Sequence, residues 1–283
     1  RCTRILFEYA EGNGRFTPPT IMTTITHQLS HLERNGLVKL AQTAPELEYL
    51  FRHALVQDAA YQSLLIADRR QFHQTIGETL ERLYPQRLKE FSVILAHHFL
   101  LADNEERALY YSIYAGEAAS NLYANAEAVK HYNRALEIVR RRAGAIDSEQ
   151  ALRVFQQRGR ALELSGDYPT AVKNYEEMRD YGRLRHDIAI EGKAIGELAA
   201  CYIIPNELHD RAFATKYIDQ GLAFARQTNA PDLETKLLLS KIILATHYGD
   251  AEELLTAGDA GIALARQHGL TQRLAHILHD LAI

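Results

Sequence analysis

The chain has 283 residues, 47% of them hydrophobic and 24% charged, with a formal net charge of −4 at pH 7. That length suits one extended array or two domains, and so small a net charge is too weak to predict nucleic-acid or membrane binding from the global field. No stretch approaches the ~20 uncharged apolar residues of a membrane span. The two cysteines, Cys2 and Cys201, sit too far apart in sequence to suggest a disulfide framework and fit a reducing cytoplasm.

The opening segment, residues 1–12, lacks the apolar core and small-residue cleavage site of a signal peptide. It begins with Arg1, and Ile283 directly follows a helical run, so the sequence is expected to be a piece of a longer protein. Gly12-Asn13-Gly14 reads as a turn and not a phosphate loop, because no Gly-Lys-Ser/Thr follows. Pro18-Pro19 opens a helical pattern (Ile21, Ile25, Leu29, Leu32) that closes at Asn35-Gly36. Leu37–Leu40, a turn at residues 43–46 and Leu47–Phe51 then predict a short hairpin. Helix, hairpin, helix is the order of the second half of a winged-helix module, which is placed at residues 1–65.

From Ala54 onward apolar residues recur at three- and four-residue steps, the helical period, and strands are hard to find. The pattern also repeats. Gly116 is followed by Ala119, Ala128, Tyr132 and Ala135; Gly159 is followed by Leu162, Gly166, Tyr168, Ala171 and Tyr175. These spacings resemble the tetratricopeptide pattern of helical hairpins. Residues 220–227 align with residues 260–267, an offset longer than the usual ~34 of that class, so longer helices are expected. Thr271–Ile283 reads as the first helix of a further unit.

Gly116, Gly159 and Ala199 are expected where paired helices approach closely, and Tyr132, Tyr175 and Phe224 where one hairpin meets the next. A lone hairpin cannot bury enough apolar surface to fold, so neighbours must cover it. The fold class predicted is all-α, a tetratricopeptide-like array of helical hairpins over residues 66–283, preceded by the winged-helix-like module.

Candidate chemistry is sparse. His27 and His31 lie one helical turn apart, but Gln28 stands where a zinc peptidase needs a glutamate base, so a polar helix face is expected. His97-His98 should point to different sides of a helix, and His276 with His279 lacks a third ligand. No Walker lysine motif, no Gly-x-Ser-x-Gly elbow and no Cys-x-x-Cys pair occurs. Arg140-Arg141-Arg142 closes a helix, where cations are favoured by the dipole. Asp147-Ser148-Glu149 and Pro231-Asp232 are helix-start signals, with Asp or Ser as cap. The segment Ile21–Gly36 carries only Arg34 as a basic residue besides histidines, which argues against a DNA recognition helix. No catalytic residue, cofactor or metal is expected.

The run Tyr49–Leu65 resembles the junction that follows the ATPase module in signalling proteins of the STAND class. Arg69-Arg70-Gln71-Phe72-His73, Ala96-His97-His98-Phe99 and Ala124-Asn125-Ala126-Glu127-Ala128 also resemble that class, which includes adenylate/guanylate cyclases with ATPase-tetratricopeptide tails and maltose-activator-type transcription regulators. The likeness spans roughly residues 20–140. It implies that a nucleotide switch precedes this region, that a winged helix contacts the switch, and that the repeats sense or hold partners. ATP binding and catalysis do not carry over, because the phosphate loop is missing from these residues.

The function expected is therefore a non-catalytic protein-interaction and regulatory scaffold, cytoplasmic, meeting a protein or peptide partner or the parent's own ATPase domain. Repeat register places Arg153, Gln156, Arg160 and Glu163 in the partner groove. The alternatives are a DNA-associated fragment of a transcription regulator using residues 1–65, and a hydrolase or metal site hidden in the groove.

Overall fold

The computed structural model describes residues 18–42 and 48–282. The Gly12-Asn13-Gly14 turn, Cys2 and the turn at residues 43–46 lie outside the described residues. The chain divides into two compact units, Arg1–Ala118 and Ala119–Ile283.

In the first unit, α1 (Pro18–Arg34) starts on its two prolines and ends as the sequence predicts. Gly36 takes φ 71°, its N–H bonds to the carbonyl of Glu33, and the N–H of Leu37 reaches back to Leu32. That pair of bonds satisfies carbonyls that the helix end would otherwise leave open. The expected hairpin follows: β1 (Val38–Gln42) pairs antiparallel with β2 (Glu48–Phe51), Val38 opposite Phe51. Then come α2 (Ala54–Gln62), α3 (Ile66–Leu83), a 3-10 turn at Pro85–Arg87, α4 (Ser92–Leu101) and the start of α5 (Glu105–Asn121). No strand occurs after Phe51 among the described residues.

The core of this unit gathers Leu80, Leu95, Phe99, Leu109 and Tyr111. Phe99 stacks on Tyr111 with ring planes 10° apart. Gly77 makes room for it, since a Cβ there would sit 2.6 Å from the Phe99 ring. Tyr111 donates its hydroxyl to Glu81 at 2.7 Å.

The second unit holds α6 (Asn125–Arg141), α7 (Ser148–Leu164), α8 (Tyr168–Arg185), α9 (Ile188–Ile203), α10 (Arg211–Gln227), α11 (Pro231–Tyr248), α12 (Ala251–Gln267) and α13 (Thr271–Leu281). Each packs on the next in sequence from α6 to α13. The helices from α7 to α12 have 16 to 18 residues, which accounts for the long repeat offset. Buried Tyr132, Phe155, Tyr175, Met178, Leu198, Ile218 and Ile242 form the core.

Five of the seven turns between these helices share one chemistry. A residue with positive φ (Gly166, His186, Asn229, Gly249, Gly269) follows the helix, and the next N–H reaches back five residues, as Asp167 does to Leu162. Asp167, Asp187 and Asp250 then accept from an amide in the first turn of the following helix. One aspartate thus closes a helix with its backbone and opens the next with its side chain. Asp167→Ala is expected to lower stability by about 1 kcal/mol, while Asp167→Asn stays near the parent; urea denaturation of the full chain measures both.

The helix-start signals are observed with one adjustment. Asp147 caps α7 through the amides of Glu149 and Gln150. Pro231 occupies the first turn of α11, but the cap position is Ala230, and Asp232 pairs with Arg273 of α13 at 3.0 Å. The 40-residue repeat is also visible in packing. A Cβ on Gly221 would meet Leu237 of α11, and one on Gly261 would meet Ile277 of α13. Equivalent glycines on second helices admit branched side chains from the next first helix, so α13 takes the place in its unit that α11 takes before it.

Candidate functional site

Within the second unit, α9 packs on α11 and α11 on α13, as well as on the helices between them. First helices of successive hairpins therefore form one layer. Its surface carries a cavity of about 450 Å³, lined by Ile203, Ile204, Ile243, Thr246, His247 and Asp280 among others.

The cavity owes its shape to the end of α9. Pro205 lacks an N–H and disfavours helical geometry at Ile204, which is extended (φ −67°, ψ 138°) and leaves its side chain 41% exposed. Asn206 fixes the turn by donating to the carbonyl of Cys201 at 2.8 Å and accepting from the amide of Leu208 at 2.6 Å. His209 ties the loop to α11. One ring nitrogen, Nδ1, lies 3.1 Å from the carbonyl of Ile203, which can only accept, so Nδ1 carries the proton. Its Nε2 then accepts from the Tyr248 hydroxyl at 3.0 Å, and the Arg211 guanidinium covers the Tyr248 ring at 4.5 Å. Across the opening Ile243 is 42% exposed.

Charges beside the cavity are mostly neutralised within the chain. Lys236 of α11 pairs with Glu197 of α9 at 3.0 Å. Asp232 pairs with Arg273. Asp280 differs: it lines the cavity, and its side chain has no hydrogen bond or ion pair with another described residue. Beneath this surface Cys201 is 1% exposed. Burial pushes its thiol up to about 12, with the Glu163 and Glu197 carboxylates adding to the effect.

The four groove residues predicted from repeat register share one face of α7. Arg153 and Gln156 are half-buried and Arg160 is exposed. Glu163 is committed inside the fold. It accepts the Tyr175 hydroxyl at 2.6 Å and the Arg160 guanidinium at 3.1 Å. Burial, followed by the nearby Glu163 carboxylate, raises the Tyr175 phenol well above its ordinary value. The cavity residues went unnoticed in the sequence because isoleucines at helical spacing read as core. The available signal was Ile204-Pro205 and the longer connection over residues 204–210, where neighbouring hairpins turn tightly.

Other sequence candidates fall elsewhere. Arg140 makes a two-pronged contact with Glu177 of α8 at 2.6 Å, which spends the first member of the basic cluster on hairpin packing. Phe224, expected between hairpins, is half-buried, and its ring lies 3.3 Å from where a Cβ on Gly192 of α9 would sit, beside Leu233 of the next hairpin. His27, His31, His276 and His279 are exposed. Among the described residues no group of three or more His, Cys, Asp or Glu side chains could hold a metal ion.

In the first unit, His97 and His98 do not simply diverge. Both rings lie around buried His73, centroids 6.2 and 5.1 Å away. The Nδ1 atoms of His73 and His98 are 2.8 Å apart, and the Tyr61 hydroxyl lies 2.9 Å from the other His73 nitrogen. One of two facing nitrogens must donate and the other accept, so at least one imidazole is neutral. Burial first, then the other histidine charges, lowers His98 to about 4 and also lowers His73.

No protein-family model matches the chain, and no curated protein matches it. Among solved structures the chain is similar to the apo form of RapI, with a TM-score of 0.51 and 13% identity over 74% of each chain. It is also similar to a STAND protein (signal transduction ATPase with numerous domains) with a tetratricopeptide repeat sensor from Pyrococcus horikoshii. There the TM-score is 0.52 and the identity 13%, covering 95% of this chain and 48% of that one. The fold is all-α and tetratricopeptide-like. At such identity the likeness is one of fold alone, and this chain spans about half the length of the Pyrococcus protein. No helix among the described residues is long and apolar enough to cross a membrane.

Proposed function

We propose that this chain is a non-catalytic protein-interaction scaffold, the sensor or autoregulatory region of a larger ATP-dependent signalling protein acting in the cytoplasm. One observation carries the reading: an open, mostly apolar cavity on the layer of first helices, with Ile204 and Ile243 turned to solvent. Solvent-facing isoleucines around a concavity are stabilised when a partner side chain displaces water from them.

In this reading the groove of α7, with Arg153, Gln156 and Arg160, extends the contact surface, and Glu163 positions Tyr175 beneath it. Occupancy would bias the attached switch by binding one of its states better than the other. The winged-helix-like assignment of residues 1–65 belongs to the same proposal, supported by the order of α1, the hairpin and α2. The STAND resemblance of residues 20–140 supplies the parent class. DNA association through residues 1–65 is the weaker reading, since Arg34 of α1 is spent in part on the carbonyl of Ser30.

Panning a displayed library of random dodecapeptides on the full chain tests the scaffold reading. Selected peptides are expected to bind Ile243→Glu at least tenfold more weakly, with the melting temperature unchanged because Ile243 is on the surface. Undiminished binding to Ile243→Glu would remove the cavity from the function.

A further inference from the structure

We infer that the cavity between α9, α11 and α13 selects a peptide segment in which an aliphatic side chain lies beside a lysine or arginine. This rests on the scaffold reading and adds the chemistry of the partner. The aliphatic half follows from Ile203, Ile204 and Ile243, whose side chains offer no hydrogen-bonding groups to an incoming residue; Ser240 and Thr246 share the lining, and the Thr246 hydroxyl already donates to the Ile242 carbonyl. The cationic half follows from charge. Along these three helices carboxylates are held within the chain, Glu197 by Lys236, Asp232 by Arg273 and Glu234 by Arg226.

Asp280 is the exception at the cavity, half-buried and without a side-chain partner among the described residues. A carboxylate in that position is stabilised by an incoming cation, and an arginine can bind it through two parallel N–H donors. An acidic segment would instead meet Asp280 as a like charge and be rejected. The His247 ring on the same lining packs against His209 and Tyr248, so it offers the segment an aromatic edge beside the isoleucines.

The same dodecapeptide library, followed by fluorescence anisotropy with labelled synthetic versions of the enriched peptides, tests this on the full chain. Enriched sequences are expected to carry an aliphatic residue next to Lys or Arg. Replacing that cation by Glu should weaken binding at least tenfold. Asp280→Asn should cost several-fold, and Asp280→Lys should reverse the preference toward the Glu-substituted peptide. Binding that Ile243→Glu abolishes but that neither Asp280 substitution nor peptide charge alters would overturn the cationic specificity and leave the scaffold reading standing. Binders insensitive to Ile243→Glu as well would overturn both, as would a failure to enrich any peptide. Circular dichroism and melting curves for Asp280→Asn and Asp280→Lys distinguish lost recognition from lost folding.

Discussion

Gly159→Ala is expected to destabilise the second unit by about 2–3 kcal/mol. The added methyl would fall within the Tyr175 ring, which is 2% exposed and already fills the space between α7 and α8. The ring has little freedom to retreat, because its hydroxyl is held by Glu163 at 2.6 Å, and Glu163 is in turn held by Arg160. Gly144→Ala is the matched control: nothing lies within 4 Å of a Cβ there and its φ is ordinary, so its effect should stay within ~0.5 kcal/mol. Urea denaturation of both variants measures the difference. Pairing Gly159→Ala with Tyr175→Leu should cost less than the two separate losses added together, since the smaller side chain frees the volume the methyl needs. Strict additivity would mean that the contact is not the cause.

Acid is expected to loosen the first unit before its carboxylates are protonated. Folding holds His98 at about 4 and also lowers His73, burial being the main cause in each, whereas an unfolded histidine titrates near 6.5. A depressed folded value means that the unfolded chain takes up protons first. The stabilisation is therefore complete above about pH 6.5 and is lost as the pH falls toward 4. Allowing for the partial solvent exposure of His98, the loss by pH 4.5 should be about 1–2 kcal/mol. The groups around the pair are Tyr61 from α2, Arg69 from α3, stacked over Tyr61, and His97 from α4. Hydrogen exchange in α3 and α4 should report this opening between pH 7 and 4.5. His98→Gln keeps a hydrogen-bonding group beside His73 but cannot acquire charge, and should flatten the response over that range. An identical pH response in the variant would place the acid sensitivity elsewhere.

Much of the array was legible because its constraints are local. Gly36, Gly159, Asp147 and the 40-residue echo of Gly221 in Gly261 each mark a turn, a close approach or a cap that depends on few neighbours. Phe224 shows the limit: it lies near Gly192 and Leu233 of the next hairpin but stays half-buried, and how far an aromatic is covered is set by packing that sequence alone does not give. The cavity was harder still. Ile203, Ile204 and Ile243 have the spacing of core residues, and only the bend at Pro205 with the packing of α9 on α11 leaves two of them facing water. The histidine cluster was hidden for a related reason. His73 and His98 are 25 positions apart, and which side of α4 meets α3 is a tertiary outcome.

Cys201 gives the first-helix layer an internal clock. With its sulfur shielded and its proton held to about 12, thiolate is scarce at neutral pH, and electrophiles or oxidants can act only during excursions that expose it. The rate at which this atom is alkylated therefore counts how often α9 breathes, and a ligand bridging α9 to α11 and α13 would slow that count without touching the sulfur.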